Sequence, residues 1–318
     1  MRKFVGPLLA GALVAGLCAG GAAEAQQKKT LVFVTNVAAD FWTFARRGIE
    51  KAQKEHPDYN MEMIVTTEGT AAAQRRELDD LVARGVAGIS VSVDDAAHAT
   101  EELNKVAAKA VLFTTDSDAP QSKRVAYIGT DNVAAGRQAG QEILKALPNG
   151  GKIMLFVGTM DADNARERVQ GIREALKGSK VEILDVRTDQ ADFTKAKSNA
   201  EDTLAKYPDI SLMSGLWSYD TPEIYDAVKN AGKCGKVKIV GFDEDARTLR
   251  GISEGCVQST IVQQPFEFGY QSMIGLIKVI NGDRSWIPAD GKIIVPTRVI
   301  DKSNVAEFVT YVKTLLHK

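Results

Sequence analysis

The feature that most constrains the fold is a regular alternation of short apolar runs with amphipathic helical patterns, which begins at Thr30 and continues almost to the C-terminus. Strands that alternate with helices form βαβ units, and therefore parallel sheets with helices on both faces. Two series of about five runs, in a chain of 318 residues, predict an α/β protein with two doubly wound, Rossmann-like lobes. The runs are LVFVT (31–35), MIVTT (63–67), GISVSV (88–93), AVLFTT (110–115), VAYIG (125–129), KIMLFVG (152–158), VEILDV (181–186), ISLMSG (210–215), VKIVGF (237–242) and VQSTIV (257–262).

No linker rich in proline or serine separates the two series, and the break is predicted near residues 129–132. A further strand-like run, IIVPTRVI (293–300), follows a helical pattern at about 266–280. We therefore expect the chain to cross between the two lobes more than once.

The N-terminus has the three parts of a secretory signal peptide. Residues 1–3 (MRK) are basic at two positions, residues 4–21 are apolar and rich in Ala and Gly, and residues 23–25 (AEA) fit the small-x-small cleavage pattern. We expect cleavage after Ala25 and a periplasmic location for the mature chain. The alternatives are an uncleaved membrane helix and a lipid-modified Cys18, which the bulky Leu17 disfavours.

The two remaining cysteines occupy equivalent positions in consecutive βα units. Cys234 precedes the run VKIVGF and Cys256 precedes VQSTIV. If these strands are parallel neighbours, both thiols lie at the same edge of the sheet, and an oxidising compartment favours a disulfide between them. The alternative is a pair of buried free thiols.

Polar and aromatic residues gather where the runs end, and ligands of open α/β sheets bind beyond the carboxyl ends of the strands. Carboxylates accept hydrogen bonds from hydroxyls, an arginine fork donates to two oxygens, and aromatic faces cover the C–H surface of a sugar ring. This chemistry suits a neutral, polyhydroxylated molecule. The alternative for each loop Asp or Asn is a helix cap or a turn, and Arg166 and Arg168 could lie on a solvated helix face. The residues are Asp40-Phe41-Trp42, Thr67-Glu68, Asp94-Asp95, Asp116-Ser117-Asp118, Asp131-Asn132, Asp161 to Arg166, Asp192-Phe193, Trp217-Ser218-Tyr219-Asp220, Asp243-Glu244-Asp245 and Gln263-Gln264.

The adjacent aromatic residues Phe41 and Trp42 begin a predicted amphipathic helix with Asp40 as its N-cap. Phe41 lies on the apolar stripe that this helix presents to the core, and Trp42 lies off it. Because side chains of the first helical turn lean toward the N-terminus, Trp42 is predicted to face the cleft.

Neither charge nor motifs point to other classes of function. A net charge of −1 without a basic face disfavours nucleic acid and anionic membranes as partners. The three histidines are scattered, and no catalytic, nucleotide-binding or metal-binding motif is present. We therefore predict a protein that is not an enzyme, with no cofactor and no metal.

Four stretches, in this order, resemble the periplasmic substrate-binding proteins of sugar ABC transporters, of the ribose-binding type. The resemblance runs over about residues 29–300. The stretches are IGTDNVAAGRQAG (128–140), NARERVQGI (164–172), IVGFDEDA (239–246) and STIVQQPFEFG (259–269).

The resemblance implies a site in the cleft between the lobes. Phe41 and Trp42 would sandwich the sugar ring from the N-terminal lobe, and Asp116 would accept hydrogen bonds from its hydroxyls. From the other lobe, Arg166 would bind the ring oxygen or a hydroxyl, Phe193 would add an aromatic contact, and Asp243 and Gln263 would complete the polar set.

The resemblance also implies a hinge of several strands near residues 130–132, 263–264 and about Asp290. The N-terminal lobe would comprise residues 26–131 and 264–290, and the C-terminal lobe residues 132–263 and 291–318. A monomer would close on a sugar or polyol and dock on a membrane permease.

Three positions depart from the ribose-binding pattern. Ala39 stands where an asparagine precedes the aromatic pair, Ser117 where an arginine follows the aspartate, and Trp217 where an asparagine is common. With Ser117 and Trp217 as candidate contacts, a deoxy sugar, another less polar sugar or a polyol is as good a candidate as ribose. A chemosensory receptor of the same fold and a secreted α/β enzyme are the alternative functions.

Overall fold

The computed structural model describes residues 1–4, 6 and 28–316, which form two α/β lobes with a cleft between them. The predicted signal peptide and its cleavage site lie largely outside the described residues. In chain order the strands are β1 (Lys29–Val34), β2 (Tyr59–Ile64), β3 (Gly88–Val91), β4 (Val111–Thr115), β5 (Ala126–Gly129), β6 (Gly151–Val157), β7 (Val181–Thr188), β8 (Ile210–Gly215), β9 (Lys238–Phe242), β10 (Ser259–Val262), β11 (Lys292–Ile294) and β12 (Arg298–Asp301).

Helices connect nearly all of these strands. They are α1 (Phe41–Glu55), α2 (Ala71–Ala83), α3 (Thr100–Ala107), α4 (Asn132–Ala146), α5 (Asp163–Leu176), α6 (Phe193–Lys206), α7 (Asp220–Asn230), α8 (Ala246–Glu254), α9 (Pro265–Ile280) and α10 (Val305–Leu316).

The two lobes repeat one topology. The N-terminal sheet has the order β11-β5-β4-β3-β1-β2 and the C-terminal sheet the order β12-β10-β9-β8-β6-β7. All pairings are parallel except that of β12 with β10. Buried apolar side chains fill both faces of each sheet, which explains why the strands read as continuous apolar runs. The predicted fold class, two doubly wound lobes, is confirmed.

The chain crosses between the lobes three times: between β5 and α4, between β10 and α9, and between β11 and β12. The third crossing differs from the prediction, which placed residues 291–318 in the C-terminal lobe. Residues 292–294 pair with Tyr127–Gly129 in the N-terminal sheet, so the chain crosses only afterwards. Pro296 lies in this crossing and cannot donate to a sheet, which divides the single apolar run into two strands.

No helix in the described part of the chain is long and apolar enough to cross a membrane.

The predicted disulfide is present. Cys234 and Cys256 are bonded, with their Cα atoms 4.8 Å apart, just before the neighbouring parallel strands β9 and β10. The pairing follows from the topology, because equivalent positions before adjacent parallel strands share one edge of the sheet.

Loss of this disulfide should destabilise the protein. The two cysteines are 22 residues apart, and the loop-entropy model gives about 3 kcal/mol for a loop of that size. The double variant Cys234→Ala/Cys256→Ala should therefore unfold at lower urea concentration than the wild type, as should the wild type under reducing conditions. An unchanged midpoint in both cases would contradict a stabilising role.

Candidate ligand-binding site

The cleft lies at the carboxyl ends of both sheets, between the lobes. About 320 Å³ of space, part of it open to solvent, lies between the lining side chains. Its lining combines polar and aromatic side chains from both lobes: Asn36, Val37, Ala39, Phe41, Trp42 and Asp116 from the N-terminal lobe, Asn164, Arg168, Trp217, Ser218, Tyr219 and Asp243 from the C-terminal lobe, and Gln263 from the second crossing.

Two aspartates occupy equivalent positions in the two lobes. Asp116 follows β4 and Asp243 follows β9, and both have a left-handed backbone, with φ of 58° and 66°. The N–H of Asp116 donates to Ile128 O at 3.3 Å, and that of Asp243 donates to Ile261 O at 2.9 Å, each on the next strand of the sheet. Aspartate tolerates this conformation better than most residues, and such backbone is concentrated at functional sites.

Asp116 joins the two lobes directly. Its Oδ2 accepts a hydrogen bond from Ser92 Oγ at 2.7 Å within its own lobe and from Asn164 Nδ2 at 3.2 Å across the cleft. The lobes are therefore closed on one another in this structure.

Arg168 is buried at the centre of the polar group. Its Nε donates to Asn132 Oδ1 at 2.9 Å, its Nη1 donates to Leu216 O, and the guanidinium lies 4.5 Å from the centre of the Phe242 ring. Its Nη2 is buried and has no hydrogen-bond partner among the described residues. Arg168 thus keeps one donor free beside the cleft.

The carboxylates and Arg168 form one electrostatic group. Burial raises the pKa of Asp116, and the positive charge of Arg168 and hydrogen bonds from Ser92 and Asn164 oppose the rise. Burial likewise raises the pKa of Asp243 to about 6, against the charge of Arg168 and the hydrogen bond from Gln263. One guanidinium therefore compensates two buried carboxyl groups only in part.

Gln263 completes the polar group. Its Nε2 donates to Asp243 Oδ1 at 3.0 Å, while its Oε1 is buried and has no partner among the described residues. The cleft thus has an unpaired acceptor as well as an unpaired donor.

Phe41 and Trp42 form the aromatic wall of the N-terminal lobe. Both are buried, and their rings meet edge to face with centroids 4.8 Å apart. Trp42 lines the cleft as helix geometry predicts, but it also packs on Phe33, with centroids 5.6 Å apart, so it belongs to the core as well. Phe41 likewise lines the cleft and packs in the core. Asp40 precedes the helix without a side-chain hydrogen bond to its first turn, so the predicted side-chain cap is not formed.

Trp217 and Tyr219 form the opposite wall. Trp217 Nε1 donates to Asn164 Oδ1 at 3.2 Å, and the Tyr219 hydroxyl donates to Asp189 Oδ1 at 2.7 Å. Because both polar atoms are engaged in the protein, the rings contribute mainly apolar surface to the cleft.

Three predicted contacts do not line the cleft. Arg166 turns back to the start of its own helix, where it donates to Met160 O and Asp161 O and pairs with Asp163. Phe193 is 45% exposed and stacks on the outside of Tyr219, with centroids 4.5 Å apart. Ser117 is buried within the N-terminal lobe, and its backbone carbonyl accepts from Val93 N at 3.2 Å.

Asn164 and Arg168 on α5 line the cleft, but the sequence prediction assigned no ligand contact to either. These positions are four residues apart and adjoin the apolar stripe of Ala165, Val169 and Ile172, so they face inward, whereas Arg166 does not. The phase of that stripe is the signal that distinguishes the two arginines. Ser218 and Tyr219 belong to the residues predicted to gather after the strands, and Ala39 was noted only as a departure from the ribose-binding pattern, whereas Asn36 and Val37 carried no signal.

Among the residues that the structure describes, no group of three His, Cys, Asp or Glu side chains is placed to hold a metal ion.

Comparisons with known proteins agree with this architecture. Residues 31–284 match the family model described as "Periplasmic binding protein domain". The chain is 28% identical to the ribose import binding protein of Haemophilus influenzae over 299 residues, covering 92% of this chain and 99% of that protein.

Solved structures show the same fold. An ABC transporter solute-binding protein from Burkholderia graminis, in complex with D-arabinose, superposes with a TM-score of 0.81 at 25% identity, covering 87% of this chain and 96% of that chain. A glucose-galactose binding protein from Geobacillus stearothermophilus superposes with a TM-score of 0.82 at 26% identity, covering 88% and 99%.

The raised pKa of Asp243 predicts a pH-dependent stability. The folded protein keeps this proton up to about pH 6, whereas the unfolded chain releases it near its ordinary pKa of 3.8. The contribution of Asp243 to the free energy of unfolding therefore falls as pH rises between these values. In Asp243→Asn, unfolding by urea at pH 4, 5, 6 and 7 should show a smaller loss of stability with rising pH than in the wild type. The exposed Asp202→Asn on α6 is the control, and equal slopes in all three proteins would contradict the prediction.

Proposed function

The chain belongs to the family of periplasmic binding protein domains, and we propose that it captures a monosaccharide or related polyol in the periplasm and delivers it to the permease of an ABC transporter. The lobes would close on the ligand by bending at the three crossing segments. The relatives that bind ribose, arabinose, glucose or galactose, by their names, support this class of ligand.

The observation that carries the proposal is the pair of unpartnered polar atoms in a closed cleft. Arg168 Nη2 and Gln263 Oε1 are both buried, both belong to lining residues, and neither has a protein partner among the described residues. A buried polar atom without a hydrogen bond costs about 1–3 kcal/mol. Because a hydroxyl group both donates and accepts, a polyhydroxylated ligand can satisfy the two atoms together.

The charge and shape of the cleft favour a neutral ring. Two carboxyl groups against one guanidinium leave no excess positive charge for an anionic ligand. Aromatic rings from opposite lobes, Trp42 and Trp217, offer apolar surface to the C–H faces of a sugar. We assign direct ligand contacts to Phe41, Trp42, Asp116, Arg168, Trp217, Asp243 and Gln263.

A thermal-shift screen over pentoses, hexoses, deoxysugars and polyols tests the ligand class. At least one member should raise the melting temperature, because a ligand that binds only the folded state stabilises it by mass action. Mass spectrometry of ligand that co-purifies with the protein provides an independent check. Absence of both a shift and a co-purified sugar would contradict the proposal, and turnover of any member would favour an enzyme.

The two arginines of α5 provide a matched test of the site. Arg168→Met should weaken binding of the sugar found in the screen by about 10- to 100-fold, the usual worth of a hydrogen bond from a charged group. Arg168→Lys keeps the charge but loses the planar fork, and should also weaken binding. Arg166→Met should bind within about threefold of the wild type. Calorimetry measures the sugar affinity of all three variants, and circular dichroism confirms that they fold. Equal losses of affinity in the Arg166 and Arg168 variants would show that Arg168 does not belong to the site.

A further inference from the structure

The buried polar atoms of the cleft that lack a hydrogen-bond partner lie at one end. Gln263 lies on the second crossing, and Arg168 donates to Asn132, which lies at the end of the first crossing. The two unpartnered atoms, Arg168 Nη2 and Gln263 Oε1, therefore lie beside the hinge, together with Asp116 and Asp243. We call these four residues the hinge end of the cleft.

The opposite end is apolar and formed by both lobes. Val37 and Ala39, in the loop after β1, pack in one apolar cluster with Ala191, in the loop after β7, and with the Trp217 and Tyr219 rings. A β-carbon placed on Gly69 would lie 3.1 Å from Ala191 Cβ and 3.3 Å from Val37 Cγ1, so Gly69 and Val37 of the N-terminal lobe adjoin Ala191 of the C-terminal lobe. We call Val37, Ala39 and Ala191 the outer end.

Three of the polar groups near the outer end are engaged within the protein, whereas Asn36 Nδ2 and Ser218 Oγ, whose residues also line the cleft, make no hydrogen bond among the described residues. Asn36 Oδ1 accepts from the N–H of Val37 at 2.8 Å, and the Trp217 and Tyr219 donors bind Asn164 and Asp189. Asp189 Oδ1 also accepts from the N–H of Ala191 at 2.9 Å, which holds the outer loop against the aromatic wall. A ligand hydroxyl placed on the side chains of Val37 and Ala39 would lose its water and gain no hydrogen bond from them.

We propose that the cleft selects a pyranose whose edge remote from the hinge carries hydrogen or a methyl group in place of a hydroxymethyl group, and that Val37 and Ala39 determine this preference. Pentopyranoses and 6-deoxyhexoses then bind more tightly than the corresponding hexoses. The ring hydroxyls bind the hinge end, and the apolar edge packs on the outer end. This inference rests on the proposed function.

Matched sugar triplets test it. D-arabinose, L-fucose and L-galactose share one ring stereochemistry and differ only by hydrogen, methyl or hydroxymethyl at C5, and so do L-arabinose, D-fucose and D-galactose, and D-xylose, D-quinovose and D-glucose. Calorimetry on the purified protein should show that, within the triplet that binds, the hydroxymethyl member is about 10- to 100-fold weaker than the better of the other two, as apolar pockets discriminate against an added hydroxyl.

The outcomes separate the two proposals. If a hexose binds as tightly as its hydrogen and methyl counterparts, the specificity inference is overturned and sugar capture stands. If no member of any triplet binds and the broader screen of sugars and polyols also gives no ligand, the proposed function fails and this inference fails with it. If only an acyclic polyol binds, sugar-ring selection is overturned alone.

Substitution at the outer end tests the assigned residues. The double variant Val37→Thr/Ala39→Ser adds two hydroxyls with little change in volume, and should reduce the discrimination against the hydroxymethyl member by about tenfold. Ala107→Ser, a partly buried position at the end of α3 in the same lobe, should leave the discrimination unchanged. An unchanged ratio in a folded double variant that still binds would exclude Val37 and Ala39 as its determinants.

Discussion

The electrostatics of the closed cleft depend on one buried guanidinium, which acts on carboxyl groups from both lobes. Arg168 is fixed by Asn132 and Leu216 and lies over the Phe242 ring, and it faces the carboxyl groups of Asp116 and Asp243. Charges removed from water are costly unless they are paired and hydrogen-bonded. The positive charge of Arg168 stabilises the ionised form of both carboxyl groups, but burial has the larger effect and their pKa values stay raised. The site is therefore polar, nearly neutral and incompletely satisfied, which suits reversible capture of a hydroxylated molecule.

The repeated topology explains where this chemistry stands. Since both sheets have the same strand order, the residues after β4 and β9 meet in the cleft from opposite sides, and each is an aspartate with left-handed backbone. The aromatic walls do not share this symmetry. One pair lies in the first turn of α1 and the other in the loop between β8 and α7. The positions of the two aspartates thus follow from the topology that the lobes share. The aromatic residues of the cleft, in contrast, lie on different elements in the two lobes.

The sequence predicted those features of the structure that depend on the period of its apolar residues and on the order of its strands. Alternating runs predicted the two lobes, and the positions of the cysteines before neighbouring strands predicted their disulfide. Positions directly after strands placed Asp116 and Asp243 at the cleft. The prediction named Arg166 and not Arg168 because the motif NARERVQGI (164–172) indicates only which segment contributes to the site. The phase of the buried stripe on α5 shows which of the two arginines faces inward. Phe193 was placed in the site because it follows β7, but its ring is 45% exposed and stacks on Tyr219 without lining the cleft. The strand at 292–294 was assigned to the wrong lobe because pairing at a sheet edge leaves no local signal.

The hydrogen bond from Asn164 to Asp116 has a thermodynamic consequence for closure of the lobes. It joins the lobes without any contribution from a ligand, so part of the free energy of closure belongs to the protein alone. In the proposed role, a closed form could then be populated without a sugar, and the apparent affinity would include that bias. Such a closed form would present much the same exterior as a loaded one and would compete with it for the permease. The strength of the contacts between the lobes would therefore set a balance between capture of the sugar and docking without it.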